Sequence, residues 1–212
     1  MSATGTLPET QVRAMFDRIA GVYDVMNSVM TVGMHHRWRS RAADLALELV
    51  RRVGPGGRVV GSDFSEGMLD LAREKSTAVR WEWGNAQDLK YDSDSFDAAT
   101  VGFGARNFSD LDAGLREMVR VVRPGGRVVV LEITTPQKPP LSFFFRAWFD
   151  TIVTRLGRLA GDPDAYTYLP SSVRRFPGPR ELAASLASAG LRDVGWILTA
   201  GGIIAIHHGT VA

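Results

Sequence analysis

The chain has no cysteine in 212 residues, which excludes disulfides, thiolate metal sites and a cysteine nucleophile. Its four histidines never fall in an HExxH spacing, so no metal is expected. No apolar run approaches the roughly 18 residues of a membrane-spanning helix. The opening MSATGTLPET lacks the basic-then-apolar layout of a secretory signal, and the expected location is cytoplasmic. Charge of one sign is scarce as well, 25 Lys and Arg against 23 Asp and Glu leaving +2. An excess that small is no basis for nucleic-acid binding. It is either plain solvation or an aid to transient, peripheral contact with an anionic membrane surface.

What is present is average for a globular protein, 45% hydrophobic and 23% charged. The length suits one domain, residues 1–212, with a core of ordinary size.

A phrase occurs twice. VGPGGRVVGSDF at 53–64 and VRPGGRVVVLEI at 122–133 each join a helical stretch to an apolar strand through Pro-Gly-Gly. Before the second copy, Ser109 is placed to cap a helix whose Leu111, Leu115, Met118, Val119 and Val122 share one face, with Gly125 and Gly126 stopping it. Between the copies lie FSEGMLDLAREKS, read as helix, VRWEW, read as strand, the turn-rich YDSDS, and FDAATVGF, read as strand. That alternation predicts an α/β fold with a doubly wound, mostly parallel sheet. LRDVGWILTA and IIAIHHGTVA, joined at Gly201-Gly202, predict a C-terminal antiparallel hairpin on the sheet edge.

Two segments stand outside this plan. Val12, Met15, Phe16 and Ile19 share a helical face within a helical cover over residues 1–40, and Phe143, Phe144, Phe145, Trp148 and Phe149 crowd an insertion over 141–175. Each is either ordinary packing or a lid over a substrate; three consecutive phenylalanines favour the lid in the second.

Chemistry-bearing candidates sit at predicted strand ends, where α/β sheets bind ligands. Asp63 is placed either to cap the next helix or to accept two hydrogen bonds from ribose hydroxyls. Asn85 and Ala86 form either a turn or an adenine site, amide to exocyclic amine and backbone N–H to ring nitrogen. In GFGARN at 102–107, small residues let backbone approach a ligand while Arg106 and Asn107 bring polar groups to the same crevice.

The blocks MFDRIAGVYDVMNSVMTVGMHHRWR, VVGSDFSEGMLDLAREK, GNAQDL, GFGARNF, RVVRPGGRVVVLEI and AGDPDAYTYLPSSVRRFPGPRELAASLASAGL together resemble the demethylmenaquinone and ubiquinone C-methyltransferases. They cover nearly the whole chain. The positions Tyr23, Asp24, Asn27, Gly33, His35, Trp38 and Arg39 and the FGxRN loop are specific to that family within the methyltransferases. The resemblance implies a Rossmann-like fold, S-adenosylmethionine as cosubstrate without a metal, and a prenylated quinol as the methyl acceptor. It implies that Asp63 holds the ribose, that Asn85 and Ala86 hold the adenine, and that Gly102 lies beside the cofactor, where relatives carrying serine add a side-chain contact. Tyr23, Asp24 and His35 become candidates for the base or its orienting partners. Arg106 and Asn107 become candidates to steady a phenolate oxygen, His35 having also the reading of a satisfied core residue.

One departure outweighs the rest. In that family a first strand and a Gly-x-Gly turn stand between the pieces that here fuse as RWRSRAA and DLALELV. Nothing from Arg37 to Val53 reads as a strand, and Ala42, Leu45, Leu49 and Arg52 fit one continuous helix. The gap is roughly 20 residues, one strand with its tight loop. Such a loop offers backbone N–H groups to the cofactor's carboxylate. Its loss predicts weak cofactor binding and sheet neighbours left without their central partner.

Overall fold

The structure, a computed structural model, describes residues 10, 11, 14, 45–136, 139–147 and 171–212. These divide into two compact units, one running up to Asn85 and the other starting at Ala86.

The first unit is one βαβ element preceded by a helix. Helix α1 covers residues 45–53, as its 3.6-residue spacing predicts. Gly54 at φ +69 ends it, the conformation that glycine alone adopts without a steric cost. Strand β1 (Val60–Asp63) leads into α2 (Glu66–Lys75), whose N-cap Ser65 accepts from the Met68 amide. Glu66 in the first turn and Arg73 and Lys75 in the last suit the helix dipole, and Leu69 is the helix's buried anchor. Strand β2 (Arg80–Trp83) pairs parallel with β1 from Val60↔Arg80 to Asp63↔Trp83.

The second unit holds β3 (Phe96–Gly102), α3 (Leu111–Val121), β4 (Val122–Ile133), α4 (Leu141–Ala147), α5 (171–175), α6 (Pro179–Ser188), β5 (Leu191–Thr199) and β6 (Ile204–Val211). Its sheet has the order β3-β4-β6-β5, with β3 and β4 parallel and the other pairs antiparallel. The expected hairpin is therefore β5–β6, turning through Ala200–Gly202. The core lies between the sheet and the helices α3 and α6, where Leu115, Met118, Val121, Val128, Val130, Leu182 and Leu186 are all buried.

Two local expectations are corrected. Asp110, not Ser109, caps α3, accepting from the Ala113 amide at 2.9 Å; the Ser109 hydroxyl instead donates to Gln87 Oε1 at 2.9 Å. Nor do Gly125 and Gly126 stop that helix. It ends at Val121, and Arg123–Gly126 form an irregularity in β4, since Phe96 opposes Val122 while Ala98 opposes Arg127. Gly126 is required there because a Cβ would meet the Asp97 carbonyl at 2.6 Å.

Among the described residues β1 and β2 form a two-stranded sheet and the other four strands a separate one.

Candidate active site

In the first unit the turn after β1 is tied down on several sides. Asp63 Oδ1 accepts from the Ser65 amide at 2.9 Å, the Asp63 carbonyl accepts from Gly84 N at 3.1 Å, and the Trp83 indole N–H donates to the Phe64 carbonyl at 2.9 Å. Ser65 supplies the helix cap, so Asp63 is not spent on that role. Gly84 sits against the Ser62 hydroxyl, where a Cβ would clash. Asp63 and Asn85 thus come out at the same, carboxyl end of two paired parallel strands, both partly exposed. This is the arrangement a nucleoside needs: an acidic acceptor at one strand tip and an amide just beyond the next.

In the second unit Ala86 opens a turn whose next residue, Gln87, binds the loop after β3. Its Oε1 accepts from the Asp110 amide at 2.6 Å as well as from Ser109. Gly102 ends β3, and a Cβ there would meet nothing nearer than Leu131 Cδ2 at 3.9 Å, so a serine-sized side chain has room. Phe103 follows at φ +59, a left-handed conformation rare for a bulky residue. Backbone strain of this kind costs about 1–3 kcal/mol and persists only where the surroundings impose it. The restraint here is visible: Phe103 N donates to the Leu131 carbonyl at 2.8 Å, and the buried Arg106 bridges the loop to β4. Arg106 Nη1 donates to Glu132 Oε1 at 2.7 Å and to the Phe103 carbonyl, while its amide donates to Glu132 Oε2 at 3.2 Å. Asn107, partly exposed, closes the short 3-10 turn by donating its amide to the Gly104 carbonyl at 2.9 Å.

Glu132 is the residue that sequence reasoning missed. It is 1% exposed and also accepts from the Ile133 amide at 2.9 Å. A buried carboxylate is retained only where charge and hydrogen bonds compensate its desolvation, and the Arg106 guanidinium does so. The signal was there to be read, a single acid inside the apolar run VVVLEI.

Tyr23, Asp24 and His35, together with residues 148–170 of the insertion, lie outside the described residues. Of the aromatic segment, Phe143 and Phe144 are described and strongly exposed, their rings edge-to-face at 6.4 Å. Among the described residues no three potential ligands cluster around a metal position, and no helix is long and apolar enough to cross a membrane.

The description of the ubiE/COQ5 methyltransferase family matches this chain over residues 4–43 and 40–211. The chain belongs to that family. The match comes in two pieces that overlap at 40–43, next to the junction between Ala43 and Asp44 where the family's strand and loop are missing. The demethylmenaquinone methyltransferase of Thermus thermophilus is 40% identical over 218 residues, covering 92% of this chain and 99% of that protein. That of Desulfitobacterium hafniense is 37% identical over 235 residues, covering 99% and 93%. Because 235 exceeds the chain's 212 by 23, at least 23 residues of the latter protein have no counterpart here. The ubiquinone/menaquinone biosynthesis C-methyltransferase UbiE of Idiomarina loihiensis is 33% identical, covering 93% and 89%. Among solved structures, a SAM-dependent methyltransferase from Thermotoga maritima superposes with a TM-score of 0.58 at 18% identity, covering 95% of this chain and all of that one. At that identity the likeness concerns the fold, a Rossmann-like methyltransferase.

Against the cofactor that this family's chemistry requires, the described residues fit one half. Asp63 and Asn85 suit the nucleoside. The methionine end asks for a row of backbone N–H groups ahead of β1, and there the chain has helix α1 and a turn over 54–57.

Proposed function

We propose that this chain is built to transfer a methyl group from S-adenosylmethionine to a ring carbon of a reduced, prenylated quinol, converting demethylmenaquinol to menaquinol or making the ubiquinone-pathway equivalent. The observation that carries this is the family match, which takes in the amino-terminal block as well as the fold. That block is what separates quinol C-methylation from O- or N-methylation of other small molecules on the same scaffold.

S-adenosylmethionine supplies an electrophilic methyl group when bound. The chain's own residues must position the acceptor and remove its proton. Asp63 holds the ribose, Asn85 and Ala86 the adenine, and the backbone at Gly102 lines the cofactor. His35, Tyr23 and Asp24 are the proposed base and its orienting partners; losing a ring-hydroxyl proton makes the adjacent carbon nucleophilic. Arg106 and Asn107 are proposed to steady the phenolate oxygen, from a loop whose conformation Glu132 imposes. The exposed Phe143 and Phe144 suit a greasy tail and the membrane surface from which such a substrate comes, so a cytoplasmic protein in peripheral contact with that membrane is proposed.

A second reading has its own support. The family match comes in two pieces and the Desulfitobacterium hafniense protein has at least 23 residues without a counterpart here, so the chain as it stands is proposed to be an impaired member that holds the nucleoside half of its cofactor and little more. Calorimetric titration with S-adenosylmethionine tests this. Weak or absent heat is expected, and micromolar binding would overturn the impairment. Methyl transfer to quinols and not to catechols, measured after the missing segment is restored, tests the substrate class.

A further inference from the structure

We propose that Gly195–Thr199 of β5 is a self-association seam, through which two copies of this chain pair edge to edge and antiparallel into one continuous sheet. β5 is the outermost strand of the four-stranded sheet, and its ladder among the described residues is with β6 alone. Natural edge strands are protected from pairing by charges, prolines, bulges or a covering element. The first half of β5 has such protection. Arg192 and Asp193 are exposed, Asp193 stands at φ +53, and the register shifts between Arg192 and Gly195.

From Gly195 onward none of those devices is found among the described residues. The ladder runs regularly from Gly195↔His208 to Thr199↔Ile204, and the stretch GWILT has neither charge nor proline. Trp196, Ile197 and Leu198 are consecutive large apolar residues that are 40%, 59% and 50% exposed. Side chains alternate along a strand, so Ile197 lies on one face of the sheet and Trp196 and Leu198 on the other. A lipid surface or an apolar ligand laid on one face leaves the opposite one bare. A further strand reaches both faces and also satisfies the outward backbone N–H and C=O groups, which lipid cannot do.

A second copy fits because the stretch complements itself. With a two-fold axis at Ile197, antiparallel pairing sets Ile197 opposite Ile197, Trp196 opposite Leu198 and Gly195 opposite Thr199. The aromatic–aliphatic pairs are favourable and no like charges meet, since Arg192 and Asp193 fall beyond the seam. Five residues contribute only part of the roughly 1,200–2,000 Å² that stable interfaces bury. The pairing is accordingly a concentration-dependent equilibrium.

Analytical ultracentrifugation of the whole chain, from micromolar to near-millimolar protein, tests the seam with Ile197→Lys and Ile197→Glu. The parent chain should shift from monomer to dimer with concentration. Each variant alone places like charges opposite each other on the axis and should lose the dimer, whereas an equimolar mixture of the two should regain it as a heterodimer. Leu198→Glu, whose partner is Trp196, repeats the test should circular dichroism show that either Ile197 variant is misfolded. A parent chain that stays monomeric, variants that dimerise as the parent does, or a mixture that stays monomeric would each overturn the proposal. A monomeric parent that binds phosphatidylglycerol vesicles through these residues would assign the patch to lipid instead.

Discussion

The Arg106 guanidinium and the Glu132 carboxylate meet at 2.7 Å, their side chains 6% and 1% exposed. The pair joins the loop that leaves β3 to the end of the neighbouring parallel strand β4, and so fixes the backbone on which Gly102 and Asn107 ride. Removing one partner strands a buried charge, which typically costs about 3–5 kcal/mol. Glu132→Ala should lose stability of that order in urea denaturation, and Arg106→Ala a similar amount. A loss below about 1 kcal/mol, the range of a solvent-exposed pair, would show that the two groups are not locked together.

His207 makes stability depend on pH. Its Nε2–H donates to the Pro179 carbonyl at 2.9 Å, while Nδ1 is buried with no hydrogen-bond partner among the described residues. Burial pushes the pKa below its usual 6.5; the hydrogen bond to Pro179 opposes that, and the neighbouring His208 adds to it. The unfolded chain therefore takes up a proton that the folded chain resists. Stability is complete above about pH 6.5 and falls as pH drops below it, by at most about 1.4 kcal/mol per pH unit. His207→Gln should flatten that limb. Trp196, stacked on His207 with ring centroids 6.0 Å apart, provides the fluorescence signal. The limb from Glu117, whose pKa the Arg120 guanidinium lowers below 4.5, comes at more acid pH. An unchanged slope in the variant would assign the effect elsewhere.

The absent glycine loop has a calculable cost. Two or three lost charge-assisted hydrogen bonds, each worth roughly 1.5–3 kcal/mol, weaken binding by about two to six powers of ten. Inserting a family-type strand and Gly-x-Gly turn between Ala43 and Asp44 should restore S-adenosylmethionine binding and turnover together. In the restored protein Asp63→Ala should lower affinity without unfolding the chain. Equal affinity with and without Asp63 would remove it from the ribose.

Phe143 and Phe144 are 74% and 66% exposed, so replacing both with serine should change stability by no more than about 0.5 kcal/mol each, as at other surface positions. In the restored enzyme the same change should slow long-tailed quinols more than short-tailed ones. Equal losses for both would mean that the pair does not meet the tail.

Where local rules govern, the sequence alone was sufficient. The strand–helix alternation, the helix over 45–53 and the β5–β6 hairpin around Gly201 and Gly202 follow from periodicity and turn chemistry, and the missing loop follows from the resemblance to the family. The tertiary structure decided what depends on groups far apart in the chain. Ser109 obeys the capping preference yet loses the cap to Asp110, because Gln87, 22 residues earlier, takes its hydroxyl. Arg106 reads as a polar group offered to the ligand crevice, and only the fold shows its guanidinium paired with Glu132, 26 residues on. The exposure of Trp196, Ile197 and Leu198 on the outermost strand is likewise invisible to a local pattern. Period and propensity report on neighbours along the chain, whereas strand partners and the burial of a charge are set by contacts that only the folded chain makes.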